Sequence, residues 1–144
     1  MTTTDTGPET VRTLTTVLGA LCAARRSFAN PEASDAELAY GAATRAQRCK
    51  VVVEGLCNLG ALDRGTAAKV EDAYVSTCTF CIAFHDEQFT GLTKLRQEAT
   101  MDLDIAIRAV RDAINARLPG RHISADQDAA EGASLARMAP LGGE

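Results

Sequence analysis

The chain has 144 residues, with 15 Lys and Arg against 19 Asp and Glu, for a formal net charge of −4. At that length one compact domain is expected, able to bury roughly 68–70% of its unfolded surface, so neither a metal nor a disulfide is needed for folding. The acidic balance, with no run of more than two basic residues, argues against a nucleic-acid partner, and no apolar stretch reaches the ~18 residues of a membrane span.

Residues 1 to 7 are polar and Thr-rich and are expected to be disordered. The opening MTTTDTGPET has no apolar run of the kind a secretory signal carries, so a reducing, cytoplasmic compartment is expected. The five cysteines are an odd number and cannot all pair within one chain. They then read as reactive, metal-binding or buried.

Leu14, Leu18, Leu21, Cys22 and Phe28 recur at helical spacing, predicting a first helix from near Pro8-Glu9 that ends before Asn30-Pro31, because proline disfavours the helical conformation in the residue before it. Ser34-Asp35-Ala36-Glu37 is a capping box, in which the Ser34 hydroxyl and the Glu37 carboxylate satisfy each other's backbone amides. The second helix carries Leu38, Ala42, Cys49, Val52, Val53 and Leu56 on one face and stops near Gly60. Asp63 caps a third helix running towards Thr90-Gly91. A fourth presents Ala99, Leu103, Ala106, Val110, Ala113 and Ile114 inward, with Asp104/Arg108 and Arg108/Asp112 spaced as outward i,i+4 pairs. From Pro119 to Glu144 no apolar period persists, and a flexible tail that includes a solvated His122 is expected. The pattern predicts an all-α fold, an antiparallel four-helix bundle over 8–118. Gly19, Gly41 and Gly55 each cost about 1 kcal/mol against Ala in a helix interior, which points to close helix approach there.

The chemistry lies in Val75-Ser76-Thr77-Cys78-Thr79-Phe80-Cys81-Ile82-Ala83-Phe84-His85-Asp86. Residues three, four and seven apart share a helix face, so Cys78, Cys81 and His85 form one stripe, with Glu71 and Tyr74 below. Such a stripe has two uses. In one, the thiols exchange with a disulfide or reduce peroxide while the imidazole supports the thiolate, the only competent nucleophile. If Ser76 or Thr77 opens a fresh helix there, Cys78 falls in its first turn, where the helix dipole lowers a thiol pKa. In the other use, Cys78, Cys81 and His85 ligate Zn, Cu or an iron–sulfur cluster, with Cys49, Cys57 or Cys22 as a further ligand. A third reading is a non-catalytic assembly or adaptor module whose cysteines are core. Cys22 and Cys49 lie on apolar stripes and read as core, Cys57 sits to one side of its stripe, and Arg45 borders the apolar face of its helix.

Cys-x2-Cys-x3-His in a helical setting resembles the active-site helix of the alkylhydroperoxidase D and carboxymuconolactone decarboxylase-like proteins, over 12 to 20 residues. The resemblance implies an oligomeric, all-helical thiol peroxidase or related redox protein with no cofactor and a thiol reductant as partner. Carried across by position, Cys81 attacks peroxide, Cys78 resolves and His85 belongs to the proton relay. The family's relay Glu lies twelve residues before the first Cys, where this chain has Thr66. Glu71 is the available carboxylate on the same face, but about 10.5 Å from Cys78 on a straight helix, so it serves only if the backbone breaks between them.

Overall fold

A computed structural model describes residues 7–29, 35–85 and 91–118. They form α1 (Gly7–Ala29), α2 (Asp35–Asn58), α3 (Arg64–His85) and α4 (Leu92–Asn115), with no strand among the described residues. The four pack as a helical bundle in which α1 lies against α2 and α4, and α3 against α2 and α4. Ser34, the Glu37 side chain, residues 1–6 of the segment 1–7 expected to be disordered and the expected flexible tail 119–144 with His122 lie outside the described residues, whereas Gly7 is the first residue of α1.

The apolar stripes become the core. Leu14, Leu18, Leu21, Cys22 and Phe28 of α1 are buried together with Val17 and Ala24. Ala99, Leu103, Ala106, Val110, Ala113 and Ile114 of α4 are buried too, joined by Ile107. From α2 come Ala42, Cys49 and Val53, with Val52 and Leu56 packed at the edge. Each fully buried Leu, Val or Phe contributes about 1.5–3 kcal/mol of transfer free energy, so these stripes dominate stability.

At one end of the bundle Phe28 meets Phe80 edge-on, with ring centroids 5.3 Å apart. The Arg96 guanidinium lies 5.0 Å from the Phe80 centroid and donates to the Phe28 carbonyl at 3.2 Å. The ends of α1 and α3 therefore meet the start of α4. At the other end Arg117, just past α4, donates to the Ala61 carbonyl in the turn between α2 and α3. Between the ends, Arg25 pairs with Asp104 across α1 and α4, and the Ser76 hydroxyl donates to Asp102 across α3 and α4.

Asp63 caps α3 as its sequence position suggests, accepting from the Thr66 amide at 2.9 Å and the Thr66 hydroxyl at 2.8 Å. These bonds hold the Asp63 carboxyl below its ordinary pKa. α3 is described as far as His85, and residues 86–90, the rest of its expected course, lie outside the described residues; α4 starts after Gly91, whose φ of 88° is a left-handed conformation that glycine adopts without a Cβ penalty. Two local expectations are corrected. Asp104, expected to pair outward along its own helix with Arg108, pairs with Arg25 across to α1 at the partly exposed edge of the two helices. Close helix approach does not explain two of the glycines: a Cβ at Gly55 meets nothing within 4 Å, and at Gly41 only the tip of Arg45, at 3.6 Å.

Candidate functional site

Activation of Cys78 by a helix N-terminus depends on whether α3 breaks before it, and α3 does not break. The helix runs unbroken from Arg64 to His85. The Thr77 hydroxyl donates back to the Tyr74 carbonyl at 2.9 Å and that of Thr79 to the Val75 carbonyl at 2.8 Å, so these poor helix formers satisfy their side chains within the helix. Ser76 is taken up by Asp102, and Thr77 is fully buried. Tertiary contacts thus override the local signal for a new helix start. Cys78 lies near the middle of α3, beyond the reach of the positive end of the helix dipole, which acts within the first turn.

The two thiols of the motif occupy different environments. Cys81 is 8% exposed. Burial first, and then the charge of Cys78, push its pKa up to about 11. At pH 7 that leaves on the order of one thiolate in 10⁴, the reverse of what a peroxide-attacking thiol requires. Cys78 is half-buried. One turn before it on the same stripe is Tyr74, whose phenol pKa is raised by the neighbouring Cys78, through side-chain hydrogen bonding first and charge second. The ammonium of Lys50, on α2, sits 5.8 Å from the Tyr74 ring centroid. Its own pKa is raised, chiefly by a hydrogen bond to Glu54, whose carboxylate is 3.2 Å away.

Glu71 is exposed on the unbroken helix, about two turns from Cys78, too far for a direct bond. It lines an open cleft of about 470 Å³ between α2 and α3, with Glu54, Cys57, Asn58 and Arg64. The relay expected of Glu71 is therefore not assembled, because the backbone break it needed is absent. His85 is the last residue of α3, in register with Cys78 and Cys81, but its ring lies outside the described side chains.

Cys49 turns away from the motif. Its S–H points to the Val17 carbonyl on α1 at 3.8 Å, and burial raises its pKa to about 12. Among the described residues no three Cys, His, Asp or Glu side chains form a set able to hold a metal. Cys22 is buried in the core, and Arg45 is exposed, with its charged end in water.

Sequence reasoning placed Tyr74 on the Cys78 stripe without giving it a role. Its i−4 spacing was the available signal, since a phenol one turn away reaches a thiol. Lys50 comes from another helix, and no local spacing announces it. No family model matches the chain, and no curated protein or solved structure does.

Proposed function

We propose that the protein is a helical-bundle thiol exchange protein in which Cys78 is the reacting thiol and Cys81 the resolving one, the reverse of the roles the family resemblance implies. The observation that carries this reading is the asymmetry of the pair: Cys78 is only half-buried, with Tyr74 one turn away, whereas Cys81 is buried with its pKa raised to about 11. The geometry favours exchange with a disulfide over rapid peroxide reduction, because neither a helix N-terminus nor Glu71 is placed to activate the thiol.

In the exchange, the Cys78 thiolate attacks one sulfur of a disulfide R–S–S–R, forming a Cys78–S–S–R bond and releasing R–S⁻. Tyr74 is placed to donate to the Cys78 thiolate before attack. Cys81, once deprotonated, then attacks the Cys78 sulfur and expels the second R–S⁻, leaving a Cys78–Cys81 disulfide that a thiol reductant returns to two thiols. Side chains at i and i+3 on a helix have Cβ atoms about 5–6 Å apart, against the 3.5–4.5 Å of a disulfide. The second step therefore requires α3 to unwind locally, and the mixed disulfide accumulates before it resolves.

Incubation with oxidised glutathione followed by intact-mass and peptide mapping tests this. The expected result is a single glutathione adduct on Cys78 that persists in Cys81→Ser and decays to an internal disulfide in the wild type. An unmodified Cys78, or modification confined to Cys57, would overturn the reading.

A further inference from the structure

The outer surface of α3 and α4 carries four large apolar side chains that the bundle does not use: Val75, Ile82, Met101 and Ile105, 39 to 63% exposed. Val75 precedes Ser76 and Met101 precedes Asp102, so the Ser76–Asp102 hydrogen bond sets the two at the same height on neighbouring helices. Ile82 continues the stripe on α3 at i+7, and Ile105 continues it on α4 at i+4. The result is one apolar face across two helices.

Its charges are arranged with a sign. Glu71 and Asp72 are exposed on α3, below Val75, and Arg108 is exposed on α4, below Ile105. The end of α3 meets the start of α4 at Phe80 and Arg96, so moving from the Ser76–Asp102 bond towards the α2–α3 turn leads back to Asp72 on α3 and on to Arg108 on α4. At 1.5 Å per residue, Asp72 and Arg108 lie about 6 and 9 Å below that bond. A two-fold axis running along the helices would lay α3 of one copy on α4 of another and the reverse. Val75 then faces Met101 and Ile105, and the carboxylates of Glu71 and Asp72 face Arg108, twice over by symmetry.

We infer that this face is self-complementary and pairs two copies of the chain about such a two-fold axis. A pairing of the same patch on both copies is the commonest form of association, and an apolar centre with opposed charges at its rim matches the anatomy of transient interfaces. The rim charges fix which helix meets which, because the alternative axis sets Glu71 and Asp72 against Ile82. The inference does not depend on the thiol chemistry.

Sedimentation velocity on the full chain at protein concentrations from ~1 to ~500 μM, a span that brackets micromolar dissociation constants, tests it. The expected result is a species of twice the 15.2 kDa chain mass that gains population with concentration. Ile82→Glu with Met101→Glu should leave a monomer with an unchanged helical circular-dichroism spectrum, since both side chains lie outside the core. Asp72→Arg should weaken the dimer at least ~10-fold, and adding Arg108→Asp should restore it, while high salt weakens only the wild-type and restored pairs. A monomer throughout the range, a face occupied only by a different protein, or a dimer indifferent to the Ile82 and Met101 changes would overturn the proposal. Failure of the double charge exchange to restore association would overturn the two-fold arrangement.

Discussion

The two flanks of α3 contrast sharply. Towards α1 and α4 the helix is closed: Phe80 is clasped by Phe28 and Arg96, and Ser76 is tied to Asp102. Towards α2, on which it also packs, its outer edge is less enclosed: Tyr74, Cys78 and Glu71 are half-buried or exposed, and a surface cleft lies beside Cys57. One helix thus supplies the rigidity of the bundle on one side and accessible sulfur on the other.

The contrast breaks most readily at Phe80. Replacing Phe80 by Ala should cost about 3–5 kcal/mol in urea unfolding, as truncation of a buried aromatic does, whereas Tyr74→Phe on the less enclosed flank should stay within about 0.5 kcal/mol. Equal losses would mean that the α2 flank is as tightly built as the other. Thiol labelling should sharpen the same division. At pH 7 iodoacetamide should modify Cys78 at least ~100-fold faster than Cys81 or Cys49, in keeping with burial and raised pKa. Because Cys81 reacts through opening of α3, its rate should rise about tenfold per pH unit only until the ordinary thiol pKa, near 9.0, and level off above it, well below the Cys78 rate throughout. Comparable rates for the three at pH 7 would remove the distinction.

A smaller effect concerns the entry to α3. Asp63→Ala should cost about 1 kcal/mol, as loss of an N-cap does. The Asp63 pKa is lowered by folding, so its contribution is complete above the unfolded carboxyl pKa, near 3.8, and is lost as pH falls through the lower folded value. The wild type should therefore lose this increment on acidification while Asp63→Ala does not, readable from urea midpoints at pH 7 and below pH 3. The smallest change is favourable. Gly55→Ala on α2, where a Cβ meets nothing, should stabilise by about 0.5–1 kcal/mol without altering the labelling of Cys78.

The bundle was largely legible in the sequence, because the α1 and α4 stripes repeat at 3.6 residues and bury the residues that the repeat selects, Leu14 to Phe28 and Ala99 to Ile114. Asp63 was legible because its cap bond reaches only three residues. The continuity of α3 was not, since Ser76 and Thr77 look like a helix start until Asp102 and the buried core claim them. Nor was the inequality of Cys78 and Cys81: spacing puts both on one stripe, but depth depends on how α2 lies against α3. Lys50 illustrates the same limit, as a neighbour delivered by packing and not by sequence distance.

The burial of Cys81 makes that residue a clock. A thiol that can react only when its helix opens reports the opening equilibrium, in the way a slowly exchanging amide does. The ratio of its labelling rate to that of a thiol in the unfolded chain gives the free energy of the local excursion directly. If Cys81 serves as the resolving thiol, the lifetime of any adduct on Cys78 is set by the same breathing of α3. Ligands, partners or substitutions that stiffen the helix would prolong the modified state without touching either sulfur.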